Sequence, residues 1–298
     1  MHHDSLLCVD TETMPDRQIL PANWPAEKFP PPRCHQIVAI SFVEAAINRT
    51  SGVEHHRVTE RRLGSDLGYD EERLIHGFWS HFARTLPRVT WKGHGFDLPM
   101  LRPRAMTYGV IIPAWFQRGD KWTGRTQRYQ PDFRCDLLEQ IADYGAAQRI
   151  DLQAIVDLIR LPGKIGGHGS EVAGMLARGK LGKGWAYRES DVLMLYTAYV
   201  RWALLTGRTD LAGHNTSNDS LAECLVRKRA SRAHLDDFPG QVTGITPAIT
   251  DARAATATGA DCRSAASRKR ERHLTRATHN VQKLSNPSWV RQEGTRES

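Results

Sequence analysis

The chain has 298 residues, and its 41 lysines and arginines against 33 aspartates and glutamates give a net charge of +8 with histidine neutral. Hydrophobic residues make up 40% and charged residues 25% of the chain, which argues against both a wholly disordered chain and a membrane protein. The five cysteines include no Cys-x-x-Cys pair, so neither a disulfide framework nor a cysteine zinc site is predicted. No export signal or spanning segment is apparent, and we expect a cytoplasmic protein.

Positive charge is concentrated in the C-terminal segment. Residues 240–298 carry a net charge of +5, whereas residues 1–239 carry +3. The segment 240–298 is rich in Ala, Thr, Ser and Arg and has little hydrophobic periodicity, which predicts a basic, disordered tail. Residues 1–239 are then predicted to form the folded domain.

The first half of this domain predicts strands, followed by a helix. Leu6–Val9 and Gln36–Val43 are apolar runs bounded by breaking residues, and Glu54–Val58 is a weaker third strand. Apolar residues recur at helical spacing over residues 70–85. Val89–Trp91 then predicts a short strand before a helix that begins at Asp97.

The second half of the domain predicts mainly helices. They cover Asp136–Tyr144, Leu152–Ile159, Ser170–Ala177 and a long segment from about Trp185 to Leu205. The predicted order of elements, with strands first and helices between and after them, is typical of an α/β domain with a mixed sheet.

Acidic residues follow the first predicted strand directly. Asp10 and Glu12 are two residues apart, so their side chains leave the strand on the same side and can bind one cation together. A strand end that turns into a polar loop would show the same pattern. The pair alone therefore does not decide between a metal site and a loop.

Two further acidic residues accompany this pair. Asp97 follows the strand that ends at Trp91, where it is either another carboxylate at the same sheet edge or a helix cap. Tyr187 and Asp191 are four residues apart on the long predicted helix and therefore share one face. Either of these two side chains could instead serve packing or solvation.

The combination of these acids resembles a known superfamily. Asp-x-Glu, then Phe-Asp opening a helix, then Tyr-x-x-x-Asp is similar to the DnaQ-like DEDDy 3′-to-5′ exonucleases, and more narrowly to the predicted exonucleases related to the proofreading domain of family B DNA polymerases. Over about residues 5–235, further segments resemble that family in its order: CVDTETMPD, KFPPPRCHQIVAISFV, WKGHGFDLPMLRPRA, CDLLEQ, LPGKIGGHGSEV, YRESDVLMLYTAYVRW and LAGHN.

The resemblance implies a fold, an activity and a metal centre. The fold would be RNase H-like, with a central mixed sheet flanked by helices. Two divalent ions, Mg²⁺ or Mn²⁺, would stabilise charge on the attacking and leaving oxygens of a phosphodiester. Their expected ligands are Asp10, Glu12, Asp97 and Asp191. Tyr187 would orient the attacking water, since a phenol is a poor base at neutral pH.

Substrate contacts are expected beside these acids. We expect Thr11, Lys92 and Phe96 to contact the nucleic acid. Lys92 stands where the family usually has asparagine, so this chain departs from the family pattern in how it places the substrate. Residues 113–131 alternate aromatic and basic side chains, as single-strand binding surfaces do, although the same rings could cover the sheet. From this segment we select Trp115 and Trp122, and from the following Gly-rich loop Lys164.

These features predict a metal-dependent 3′-to-5′ exonuclease acting on nucleic acid, most readily single-stranded DNA, with no membrane partner. One alternative is a nucleic-acid-binding module of the same fold that has lost turnover, because Lys92 departs from the family pattern. Another is a 3′-to-5′ exoribonuclease, because the carboxylate centre does not need to sense the sugar.

Overall fold

The structure is a computed structural model that describes residues 3–25, 27–50, 52–62, 70–84, 88–116, 126–161 and 181–227. The predicted helix at Ser170–Ala177 and the predicted tail at residues 240–298 lie outside these ranges. None of the helices within them combines the length and hydropathy that a membrane span needs. Four cysteines lie within the described ranges, and all four are buried and free: Cys8, Cys34, Cys135 and Cys224.

A five-stranded mixed sheet forms the centre of the fold. Its strands are β1 (Ser5–Pro15), β2 (His35–Thr50), β3 (Val53–Arg62), β4 (Arg88–Thr90) and β5 (Arg134–Asp136). They lie in the order β3-β2-β1-β4-β5. β2 is antiparallel to β1 and β3, whereas β4 and β5 run parallel to β1. This arrangement is RNase H-like and confirms the predicted fold class.

Helices connect and cover the strands. They are α1 (Glu71–Arg84), α2 (Asp97–Thr107), α3 (Pro113–Phe116), α4 (Leu137–Ile141), α5 (Leu152–Leu158), α6 (Leu181–Leu205) and α7 (Leu211–Arg227). The strand β5 and the helix α7 were not predicted from the sequence. The predicted strands at residues 6–9, 36–43 and 54–58 lie within β1, β2 and β3, which are each longer.

Each face of β1 packs into its own hydrophobic cluster. Leu6 and Cys8 point into a cluster formed with α6 and α7, whereas Leu7 and Val9 point into one formed with α1 and α2. Side chains alternate between the two faces of a strand, so the same alternation continues into the polar residues that follow Val9. Asp10 and Glu12 therefore lie on the α6 face.

Candidate metal centre

Three carboxylates from β1 and α6 meet beyond the carboxyl end of β4. Asp10, Glu12 and Asp191 each offer a carboxylate oxygen, and these oxygens lie within 4.8 Å of one another. All three residues are half-buried. Buried contacts of Val192, Leu195 and Tyr196 with the sheet fix α6 in the position that brings Asp191 to β1.

This group of carboxylates fits a divalent cation. Oxygen ligands are what Mg²⁺ and Mn²⁺ prefer, and a cation offsets the repulsion between neighbouring carboxylates. Partial exposure leaves room for water or a phosphate oxygen to complete the coordination. The donor set of Asp10, Glu12 and Asp191 thus matches the predicted metal ligands in residue type.

Asp97, the fourth predicted ligand, does not belong to this group of carboxylates in the described structure. It is the first residue of α2, and Phe96 takes the N-cap position without a side-chain capping bond. The Asp97 side chain is buried and accepts a hydrogen bond from the Thr11 hydroxyl, which points to the opposite face of β1 from Asp10 and Glu12. Burial raises the pKa of Asp97 to about 6, although the hydrogen bond from Thr11 opposes this rise.

A hydrogen-bonded network holds the loop before α2. The Asp136 carboxylate accepts the backbone N–H groups of Lys92 at 3.0 Å and His94 at 2.9 Å. Arg134 donates to His94 Nε2 at 3.0 Å, so the proton of the imidazole lies on Nδ1, which donates to Glu139 at 2.5 Å. Burial lowers the pKa of His94, which favours this neutral form.

This network was not predicted from the sequence. His94, Asp136 and Glu139 also place possible ligand atoms within 4.8 Å of one another. Arg134 and Arg128 nevertheless donate to His94 and Glu139, so these atoms already bind within the protein. The network fixes the loop that carries Lys92 and Phe96. The only signal for it in the sequence was that GHGFD and CDLLEQ resemble family segments.

The structure corrects the prediction for Trp115. This side chain is 1% exposed and packs against Trp79 and Phe82 in the core, at ring distances of 5.9 and 5.3 Å. A ring that is buried by other rings cannot stack on a base, so Trp115 covers the sheet, as the alternative interpretation of residues 113–131 had it. Sequence spacing does not reveal which aromatic residues of a loop turn inwards.

The remaining predicted residues differ in what the structure describes. Lys92 is exposed and Phe96 is half-buried at the start of α2. The backbone of Tyr187 belongs to α6, one turn before Asp191, and its side chain is outside the described part. Trp122 and Lys164 lie outside the described residues altogether.

Comparison with known proteins gives one family match. The profile of a family described as predicted 3′-5′ exonucleases related to the exonuclease domain of PolB matches residues 27–242. No curated protein matches the chain. Among solved structures, it is similar to the family B DNA polymerase from the hyperthermophilic archaeon Pyrobaculum calidifontis, with 15% identity and a TM-score of 0.44. That similarity covers 81% of this chain and 27% of the polymerase chain.

Proposed function

Because the chain belongs to the family of predicted 3′-5′ exonucleases related to the exonuclease domain of PolB, we propose that it removes nucleotides from the 3′ end of nucleic acid, most readily single-stranded DNA. The observation that carries the proposal is the meeting of Asp10, Glu12 and Asp191 within 4.8 Å. In a chain of this family, such a group is best explained as the metal centre for phosphodiester hydrolysis.

The proposed reaction assigns separate tasks to the residues around this centre. Asp10, Glu12 and Asp191 would hold two divalent cations, Mg²⁺ or Mn²⁺. When bound, these cations would stabilise the negative charge that develops on the attacking and leaving oxygens. Tyr187, one turn before Asp191, would orient the attacking water.

Asp97 remains in the proposal as the fourth acidic residue. Its hydrogen bond from Thr11 joins the start of α2 to the stretch of β1 that lies between Asp10 and Glu12. Asp97 would therefore act on the centre by fixing the position of β1. Lys92, exposed on the preceding loop, would meet a phosphate as a point charge.

The decisive experiment is cleavage of a 5′-labelled single-stranded DNA oligomer with Mg²⁺, Mn²⁺ or EDTA. The wild-type protein should produce a ladder that shortens from the 3′ end, and EDTA should abolish it. Asp10→Ala and Asp191→Asn should also abolish cleavage while the protein stays folded, because each removes a metal ligand. Asp219→Ala, which removes an exposed carboxylate on α7, is the matched control and should cleave normally.

Two results would contradict parts of this proposal. A folded protein that binds a 3′ overhang but cleaves nothing with either metal would be the binding module rather than the nuclease. Faster degradation of a matched RNA oligomer than of DNA would make the substrate RNA. Tyr187→Phe should leave metal binding intact and slow turnover, and unchanged turnover would exclude the orienting role of the tyrosine.

A further inference from the structure

Three aromatic rings form a group at the carboxyl end of β1. The Phe29 and His35 ring centroids are 4.9 Å apart, and each of these rings also contacts Phe96, at 5.7 and 5.4 Å respectively. We call these three side chains the aromatic platform. Trp115 is buried and cannot receive a base, whereas the Phe29 side chain is 69% exposed.

The platform is joined to the acidic group through two chain segments. The Thr13 hydroxyl lies 3.0 Å from His35 Nδ1, and Thr13 directly follows Glu12. On the other side, Phe96 directly precedes Asp97, whose carboxylate bonds Thr11. Both links end at residues that flank Glu12, so the platform adjoins the stretch of β1 that carries the carboxylates.

His35 fixes the platform rigidly. Its Nε2 is 3.1 Å from the Pro30 carbonyl oxygen, which can only accept, so Nε2 carries the proton and Nδ1 accepts from Thr13. The imidazole is thereby held at both nitrogens and is itself buried. The Phe29 ring packs against this fixed imidazole, and most of its surface is exposed to solvent.

Two positively charged residues lie close to Phe29 in the sequence. Lys28 and Arg33 are both exposed on the same loop. The Lys28 ammonium lies 5.2 Å from the ring centroid of Trp24, and the Trp24 indole N–H donates to the Lys28 carbonyl at 2.7 Å. The Lys28 ammonium is therefore held against Trp24, in the chain segment that carries Phe29.

Resting on the proposed exonuclease function, we infer that Phe29 stacks on an unpaired base of the substrate strand, with Lys28 and Arg33 following its phosphates. Exposed aromatic faces beside cations are how proteins bind single strands with little sequence preference. A base within a duplex is already stacked on its neighbours, so this surface selects unpaired nucleotides. The proposed single-strand surface thus consists of Lys28, Phe29 and Arg33, and does not include Trp115, which is buried.

The first test measures binding without cleavage, by the fluorescence anisotropy of a labelled single-stranded DNA oligomer in EDTA. Phe29→Ala should raise the Kd about 5- to 150-fold, the effect of losing one aromatic–base stack. Phe29→Trp should keep the wild-type Kd, because it retains a ring. Leu158→Ala is the matched control, since Leu158 is an apolar residue of similar exposure, 71%, on α5. An unchanged Kd for Phe29→Ala would overturn the inference.

A second measurement separates stacking from a general structural effect. An abasic site is moved along the oligomer, one nucleotide at a time from the 3′ end. At the position of the stacked base, the abasic site should raise the Kd of the wild-type protein as much as Phe29→Ala does. In the Phe29→Ala protein, an abasic site at the same position should raise the Kd no further. Losses that simply add at every position would show that the ring and the base do not interact.

The binding and cleavage results can fail independently. A protein that cleaves from the 3′ end, but whose Kd and KM do not respond to Phe29→Ala, would keep the proposed function and lose the stacking site. A protein that binds single strands through Phe29, but cleaves nothing with Mg²⁺ or Mn²⁺, would lose the nuclease function and keep the stacking site.

Discussion

Lys92 adopts a backbone conformation that side chains disfavour. Its φ is 64°, in the left-handed region, where a residue with a Cβ is less stable by about 1–2 kcal/mol and where asparagine is better tolerated. The conformation is imposed by hydrogen bonds, because the Lys92 N–H donates to Asp136 and its carbonyl accepts from Gly95 and Phe96. Asparagine, which the family resemblance leads us to expect here, would tolerate this conformation better than lysine.

We predict that Lys92→Asn raises the free energy of unfolding by about 0.5–1 kcal/mol, because the new side chain tolerates the left-handed conformation. Lys92→Ala is the matched control, since it removes the ammonium and keeps the disfavoured Cβ, and it should give no gain. Urea unfolding of the three proteins measures both effects. Equal gains from asparagine and alanine would show that the charge, and not the backbone, destabilises the loop.

His56 is a second residue with an unusual environment. It is buried on β3 between Tyr196 and Tyr199, and among the described residues neither ring nitrogen has a hydrogen-bond partner. Burial lowers the pKa of His56 to about 4, with smaller contributions from nearby cations. The imidazole is therefore neutral in the folded protein over most of the acid range.

This pKa predicts acid sensitivity. Between pH 6.5 and about 4 the unfolded chain binds a proton at residue 56 that the folded protein does not, so stability is lost as the pH falls through this interval. From pH 7.5 to 4.5, His56→Phe should lose about 2–3 kcal/mol less stability than the wild type. Denaturant titrations at both pH values measure the difference. Parallel losses in the two proteins would show that His56 is protonated in the fold.

At the scale of elements, α7 supplies hydrogen-bond acceptors to β3, the edge strand of the sheet. The backbone N–H groups of His56 and Val58 on β3 donate to the hydroxyls of Ser217 and Ser220, at 2.8 and 3.0 Å. A helix thus covers an edge strand whose N–H groups would otherwise be open to pairing with another chain. Close approach is possible because Gly213 lies where α7 meets β3.

Gly213→Ala should destabilise the protein, although alanine favours helices. A Cβ at this position would lie 2.6 Å from the backbone oxygen of Glu54, so α7 or β3 must shift. We expect a loss of about 1–3 kcal/mol, as for other overpacked sites, measured by thermal or denaturant unfolding. A gain of about 1 kcal/mol, the usual effect of Gly→Ala within a helix, would show that α7 does not pack this closely.

Local pattern explains which elements the sequence predicted. β1 and β2 were found because apolar runs are a local signal. Residue spacing, together with the family resemblance, made Asp10, Glu12 and Asp191 candidate ligands. The helix α7 was missed because its Gly, Asn, Thr and Ser residues are weak helix formers whose serines serve β3, a tertiary contact. The strand β5 was missed because its three residues, Arg134–Asp136, are too few to show a period.

The orientation of individual side chains around the centre could not be predicted from local sequence patterns either. Spacing placed Asp97 at the sheet edge, but only the packed structure shows it turned towards Thr11. Likewise, His35 contacts Thr13 and Phe96, which are distant from it in the sequence. A periodic pattern within one segment cannot predict contacts of this kind.

At the scale of the whole molecule, the two hydrophobic clusters on either side of the sheet show which part of the chain forms the core. Their residues run from Leu6 to Leu225, and the family match ends at residue 242. All residues of the two clusters belong to the proposed domain of residues 1–239, and the segment 240–298 lies outside the described residues.

Deleting residues 240–298 should therefore leave a folded protein that still cleaves. The removed segment carries a charge of +5, so nonspecific affinity for nucleic acid should fall and its salt dependence should become shallower. Thermal unfolding by circular dichroism and the cleavage ladder measure the first expectation, and Kd at several salt concentrations the second. Loss of solubility or of cleavage would place the domain boundary further along the chain.

The order of the elements also bears on protein synthesis. Asp10 and Glu12 emerge on β1, the first strand, whereas Asp191 emerges on α6, which follows every strand of the sheet. A ribosome-bound chain that ends before α6 holds the sheet and two of the three carboxylates, and so cannot complete the centre. If the protein has the proposed exonuclease function, chains that end before α6 lack this activity, and abortive fragments of this kind are expected to be harmless to nucleic acid.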